Sequence, residues 1–186
     1  KFDVNTVYIT VDGHRENDFK TYIWASNDMG ATFRSLNANL SGEVVRTMIE
    51  DLKNPDLLYI GTETGIFITT DRGKSWKRLK GRNFPTVRVD EMVIHPRDNA
   101  LVIGTHGRSL WVLDHLEPIQ EYAAAQAATA DARLFTPGPA TQFRMWDNQN
   151  DEFWGHRYFL GENPPADAVI QFREALRLNP ALSPGM

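Results

Sequence analysis

The sequence predicts a mainly β chain: two to three blades of a β-propeller, then an irregular, aromatic C-terminal tail. Three observations carry that prediction. An acidic turn recurs, since Ser26, Asp28, Gly30, Phe33 and Leu36 return 43 positions later as Thr69, Asp71, Gly73, Trp76 and Leu79. Ile60-Gly61-Thr62 returns at the same interval as Ile103-Gly104-Thr105. Short runs of β-branched and aromatic residues fill the intervals, separated by Gly, Asn, Asp and Pro. A period of about 40–45 residues with four strands per unit is the signature of a propeller blade.

Taken in order, residues 6–12 (TVYITVD) read as a strand and residues 13–20 (GHRENDFK) as a polar loop. Residues 22–26 (YIWAS) form the next strand, and residues 27–31 turn the chain into 32–36. Residues 44–50 alternate, with Val45, Thr47 and Ile49 assigned to one face. Asn54-Pro55-Asp56 marks a turn. Residues 57–79 then hold two strands about Gly61–Gly65, the second acidic turn and Trp76. Residues 80–85 are a loop and 87–94 a strand, and His95-Pro96-Arg97-Asp98-Asn99 repeats the earlier turn chemistry. Residues 101–105 and 109–113 close a further strand pair around His106-Gly107-Arg108. The strands amount to roughly two complete blades and part of a third.

Val7-Tyr8-Ile9 matches Leu58-Tyr59-Ile60 at a spacing of 51, so the first unit carries about eight extra residues within 13–21. Insertions of that kind tend to fall on a binding face. A ring needs at least about four blades, and a shorter row leaves sheet edges and apolar faces open. The blades therefore call for a partner, either the remainder of their own propeller or another subunit.

The chain divides into three segments: blades over 1–120, an Ala-rich linker or short helix over 121–132, and a C-terminal extension over 133–186. Residues 133–144 read as an extended strand or arm. Residues 145–160 gather two Trp, two Phe and one Tyr around a polar turn. In the tail, Ala168, Phe172, Ala175 and Pro180 have helical-repeat spacing, so residues 167–178 read as a helix, with a strand at 168–172 as the rival. Pro164-Pro165 leaves no first helix before it, and one repeat does not fold alone.

Composition excludes several classes. Hydrophobic residues make up 41% and charged residues 24%, ordinary for a globular chain. A net charge of −4 argues against nonspecific nucleic-acid binding, and no apolar run is long enough to span a membrane. Cysteine is absent, which removes disulfides and thiolate metal sites. His14, His106, His115 and His156 have no metal-ligand spacing, and no phosphate loop or nucleophile elbow is present. No cofactor or metal is expected. His95, ahead of Pro96, reads as part of a turn.

The two acidic turns fit S/T-x-D-x-G-x-S/T-aromatic. Such a carboxylate accepts backbone N–H bonds, the Gly takes positive φ, and Phe33 or Trp76 buries its ring between strands. The pattern resembles the Asp-box of bacterial neuraminidase repeats, so Asp28 and Asp71 read as fold staples rather than catalytic carboxylates. The opposite ends of the blades share a second face, formed by residues 13–21, 62–65 and 105–108. That face collects Asp12, His14, Arg15, Glu63, His106 and Arg108. They are either solvated loop residues or a site for a glycan, peptide or other ligand, acid–base chemistry included.

TVYITVDGHRENDFKTYIWASNDMGATFRSL, NPDLLYIGTETGIFITTDRGKSW and VIHPRDNALVIGTHGRSLWVLD resemble the final blades of large bacterial sortilin-like Asp-box propeller proteins. Members of that group are often labelled glycosyl hydrolases by similarity to xyloglucanases. The likeness covers about residues 5–119, and Phe159-Leu160-Gly161-Glu162-Asn163-Pro164-Pro165 resembles the segment C-terminal to the propeller in that group. It implies the C-terminal part of an exported protein, periplasmic or extracellular. The xyloglucanase-like carboxylate pair and the sialidase arginine triad do not map onto this sequence residue by residue, and sortilin itself is a binding receptor. The expected role is a binding or scaffold module for a peptide, glycan or protein. The alternative is part of a glycoside hydrolase whose catalytic residues lie largely outside this segment.

Overall fold

The apolar run from Leu57 to Ile60 is continuous, and a strand of that kind is stable only with both faces covered. In the computed structural model, which describes residues 2–81, 83–127, 132–140 and 167–174, this run is the middle of the fold. Leu57 and Tyr59 point into one apolar cluster with Ile66, Val89, Met92, Ile94, Leu101 and Ile103. Leu58 and Ile60 point the other way, into a cluster with Ile23, Ala25, Leu36, Leu40, Val45 and Trp76.

Those clusters join three antiparallel meanders. The first is β1 (Val7–Thr10), β2 (Ile23–Ser26) and β3 (Arg34–Ser35), in sequence order. The second is β4 (Val45–Glu50), β5 (Leu58–Thr62), β6 (Ile66–Thr69) and β7 (Lys77–Arg78), also in sequence order. The third is β8 (Val89–His95), β9 (Ala100–Thr105) and β10 (Leu110–Leu113). A face-to-face row of such meanders is part of a β-propeller. Among the described residues only the middle sheet has all four strands, one complete blade where the strand count predicts two. The first sheet begins at the second-strand position, and after β10 the chain enters a helix instead of an acidic turn.

Gly61 makes the close approach of two blades possible. A Cβ there would lie 2.7 Å from both Thr47 Cγ2 and Val89 Cγ1. The alternation assigned to residues 44–50 is broken by a β-bulge, because the register shifts between Val45 and Thr47. Val45 therefore packs with the first-sheet cluster and Ile49 against the other, instead of sharing one face.

Both acidic turns close in the same way. Ser26 Oγ donates to Asp28 Oδ1 at 2.6 Å, Thr32 Oγ1 to Asp28 Oδ2 at 2.6 Å, and the Thr32 N–H to Asp28 Oδ1 at 2.9 Å. Thr69, Asp71 and Ser75 repeat these three bonds at 2.6, 2.6 and 2.9 Å. The Gly30 and Gly73 N–H groups donate to Ser26 Oγ and Thr69 Oγ1, with φ of 91° and 83°. Hydroxyl bonds from Ser26 and Thr32 hold the Asp28 carboxyl down to about 2. At Asp71 burial pushes upward, and the bonds from Ser75 and Thr69 outweigh it. The expected burial of the following aromatic holds for Trp76, at 3% exposed, and fails for Phe33, at 46%. Trp76 rests on Leu36 of the preceding sheet, and no sheet precedes the first among the described residues.

Two short helices come after β10, α1 (Glu117–Gln120) and α2 (Tyr122–Ala127). Helix α1 falls where the sequence predicts the end of the blades; its signal is Pro118 in the first turn. Gln120 Nε2 donates to both oxygens of buried Asp51, at 3.1 and 3.0 Å, and to Asn99 Oδ1 at 2.9 Å. Asn99 Nδ2 donates to Glu117 Oε1 at 2.8 Å, and Asn54 Nδ2 to the Gln120 carbonyl at 2.8 Å. Asp51 also accepts the Lys53 and Asn54 N–H groups and the buried Tyr59 hydroxyl. Burial, and secondarily Asp51, pushes that phenol far above its ordinary range. A buried carboxylate is tolerated when so fully hydrogen-bonded.

The chain divides into two compact units, Lys1–Ala128 and Thr129–Met186. In the second, β11 (Ala132–Leu134) pairs antiparallel with β12 (Phe172–Glu174). Residues 167–174 thus hold a strand where the sequence allows a helix or a strand, set slightly later than the rival strand at 168–172. The aromatic stretch 145–160, the segment 159–165 and the end of the expected helix beyond Glu174 lie outside the described residues.

Candidate functional site

The loop ends of the three blades converge on one guanidinium. Arg46 is the residue set aside by the β4 bulge, and a bulge re-aims a side chain that a regular strand would place in the ladder. Its Nη1 donates to Asp12 Oδ2 and lies 3.2 Å from His14 Nδ1. Its Nε stands 3.3 Å from Glu63 Oε1 and 3.9 Å from Asp90 Oδ1. The carboxylates come from the β1–β2 loop, the β5–β6 loop and strand β8. One mostly buried cation therefore joins three blades.

Asp90 is the counterpart of Arg46. The β8 register shifts between Val89 and Glu91, which sets Asp90 aside in an equivalent bulge. Arg88 Nε donates to Asp90 Oδ1 at 2.6 Å, and His106 Nδ1 stands 3.4 Å from Asp90 Oδ2. The Arg88 hydrogen bond holds the Asp90 carboxyl below the usual range, and the same bond raises Arg88. Asp12 is also lowered: burial pushes it up, but the His14 N–H, the His14 ring and Arg46 prevail. The Asp12 turn is closed by the His14 N–H at 3.0 Å and the His14 ring at 2.7 Å, with residues His14–Glu16 forming a single 3-10 turn.

Beneath this cluster Glu43 accepts from the Thr62 and Thr64 hydroxyls, each at 2.8 Å, while Thr21 Oγ1 donates to the Glu43 carbonyl. These bonds seat the insertion of the first blade and the β5–β6 loop on a common base.

Of the six residues read from the sequence, Asp12, His14, Glu63 and His106 are brought into one charged network. Arg15 and Arg108 are exposed and form no ion pair among the described residues. Three members were missed: Arg46, Arg88 and Asp90. A signal for the bulges was present, since Val45 and Met48, and again Val89 and Met92, stand three apart where an unbroken strand uses steps of two. No group of three or more His, Cys, Asp or Glu side chains suited to a metal ion occurs among the described residues.

Repeated antiparallel meanders, with acidic turns at one end and a loop face at the other, define a β-propeller segment. More narrowly, residues 21–125 match the Sortilin-Vps10 family model, described as sortilin, neurotensin receptor 3. That is more than half of the sequence, and the chain belongs to this family. No curated protein matches it. Solved structures similar to it include a GH74 enzyme from Niastella koreensis, 13% identical, with 60% of this chain and 18% of that one covered and a TM-score of 0.48. A GH74 xyloglucanase from Xanthomonas campestris is 16% identical over 60% and 19%, with a TM-score of 0.45. An ancestral GH74 enzyme is 16% identical over 56% and 15%, with a TM-score of 0.44. The chain thus spans less than a fifth of the length of each.

Proposed function

We propose that this chain is part of an exported Asp-box propeller that acts as a binding or scaffold module, and that its loop face holds the ligand. Asp12, His14, Arg15, Glu63, His106 and Arg108 form that face, with Arg46, Arg88 and Asp90 as added members. The ligand is a peptide, a glycan or a protein partner, and the setting is periplasmic or extracellular. The turns at Asp28 and Asp71 are Asp-box staples outside the site.

The observation that carries this reading is the pairing of the loop-face carboxylates with Arg46 and Arg88. Asp12 and Asp90 are both lowered, and Arg46 stands between Asp12, Glu63 and Asp90. A general acid needs the opposite, a carboxyl kept protonated by an apolar or like-charged setting. Fixed charges at a solvent-facing loop end suit recognition better than proton transfer. The hydrolase alternative would have to draw its acid from outside this segment.

The test is capture of ligand or partner by the full-length protein carrying alanine at His14, Arg15, His106 and Arg108 together. Capture is abolished while far-UV circular dichroism and the unfolding midpoint stay put. Unchanged capture removes the face from consideration. Turnover of any member of a broad polysaccharide panel, lost in the same variant, would favour the hydrolase.

A further inference from the structure

Charge is spread unevenly along this chain. Residues 72–82 hold six of its 20 Lys and Arg and none of its 24 Asp and Glu, so the rest of the sequence is strongly acidic. The acidic-turn repeat does not ask for this. One repeat earlier, Lys74, Arg78 and Lys80 have Ala31, Ser35 and Asn37 in their places, and only Lys77 has a cation, Arg34. One repeat later, residues 115–125 contain no Lys or Arg. The edge strand β3 manages with Arg34 alone, so guarding a sheet edge against further strands does not call for the whole set.

The cations lie on and beside β7, the outer strand of the middle blade, which pairs with β6 on one side only. Lys74, Lys77, Arg78 and Lys80 are exposed, and none of them is ion-paired among the described residues. Arg72 differs, because Asp56 already pairs with it, and Arg82 lies outside the described residues. Successive strand residues face opposite ways: Trp76 enters the first-sheet cluster, while Leu79 packs against the other. Arg78 follows Trp76, with its Cζ 6.0 Å from the Phe67 ring centre and its Nη2 donating to the Thr64 carbonyl and to Thr86 Oγ1. Lys77 follows Leu79, with its Nζ 5.0 Å from the Tyr122 ring centre and 3.5 Å from the Tyr122 hydroxyl. Neutral partners thus hold both side chains in place and leave their charge unbalanced.

We propose that β7 and its flanks bind a linear acidic polysaccharide, one bearing carboxylate or sulfate groups along its length. The run from Lys74 to Lys80 spans at most about 20 Å, room for several charged sugars. Cations on both faces of a free edge suit a chain of separated charges better than a single anion. Lysines on a sheet edge work against the addition of another strand, which disfavours an acidic peptide. Among the described residues no large apolar side chain between Phe33 and Val93 is exposed, so β7 has no anchor for a lipid surface. The acidic remainder of the chain repels a polyanion and confines it to this strand. The site is separate from the loop face and does not depend on it.

The test measures binding of the full polypeptide to polygalacturonate and to dextran sulfate, with uncharged dextran as the blank. Lys74→Gln, Lys77→Gln and Lys80→Gln combined are expected to weaken binding of both polymers about tenfold or more at low salt. The slope of log Kd against log salt should fall by about two, as for the loss of three ionic contacts. Arg at the same three positions keeps the affinity, and the urea midpoint stays put in both variants. A control with Arg34→Gln, Lys53→Gln and Arg97→Gln has the same net charge and is expected to bind as the parent does. An equal loss in that control overturns the proposal, because overall charge would then be responsible. Absence of salt-sensitive binding to either polymer overturns it too. So does tighter binding of poly-L-glutamate, or of vesicles of phosphatidylglycerol and phosphatidylcholine in equal parts, since each names another partner. The alanine variant of the loop face should bind both polymers normally, and a loss there would move the site off β7.

Discussion

The two ends of each blade obey different rules. At the acidic-turn end, two turns 43 residues apart make the same bonds with the same lengths, and each is closed within its own hairpin. At the loop end the bulge recurs but the contacts differ: Asp12 from an insertion, Glu63 from a tight Gly turn and Asp90 from strand β8 meet on Arg46. Local closure lets the repeat be copied from blade to blade. Shared closure lets the face vary, because any one loop is held by its neighbours' charges.

The sharpest break of that comparison lies in the aromatics beside the turns. Trp76→Ala is expected to cost about 3–5 kcal/mol in urea unfolding of this segment, the range for a buried aromatic, while Phe33→Ala, its ring half-exposed there, stays within about 0.5 kcal/mol. Equal losses would mean that the turn itself, not its neighbour blade, sets the stability of this end.

The loop end should respond next. Arg46→Gln leaves Asp12, Glu63 and Asp90 without their common cation and is expected to cost on the order of 1–2 kcal/mol, as for hydrogen bonds to charged groups at a partly exposed site. Hydrogen exchange should quicken in residues 11–22 and 62–65 and stay unchanged in both acidic turns. Faster exchange at Asp28 and Asp71 would show that the two ends are one cooperative unit.

The smallest effect is a pH limb. Asp28 and Asp71 have folded-state values below the ordinary 3.8, about 2 for Asp28. The stability they contribute is therefore complete above about pH 4 and lost as the pH falls toward 2. Asn at both positions should flatten the fall in urea midpoint between pH 5 and pH 2. A limb of unchanged slope would assign acid sensitivity to Asp12 and Asp90, which are lowered as well.

What the sequence made legible was whatever is local or periodic. The 43-residue interval, the acidic turns and the strand pairs around Gly61 and Gly104 rest on contacts within a few residues. Four of six loop-face residues came together because blade geometry sends every second loop to one end. Arg46 and Asp90 were missed because the signal of each bulge is a single step of three, Val45 to Met48 and Val89 to Met92, in an otherwise alternating strand. The exposure of Phe33 was hidden because a residue's own repeat does not say whether a neighbour stands beside it. Helix α1 carries only Pro118 as a local signal, because the bonds that fix it run from Gln120 back to Asp51 and Asn99.

That last network also sets where this unit ends. Judged by strands alone, the blades finish at Leu113. Judged by solvation, a shortened chain ending there would strand Asp51 in an apolar interior without its Gln120 amide, beside a Tyr59 hydroxyl that also depends on it. The carboxylate would keep only the Lys53 and Asn54 N–H groups and the Tyr59 hydroxyl, and the turn that separates β4 from β5 would loosen. The row of blades is thus closed by hydrogen-bond supply as well as by strands, through a helix that comes after the last of them.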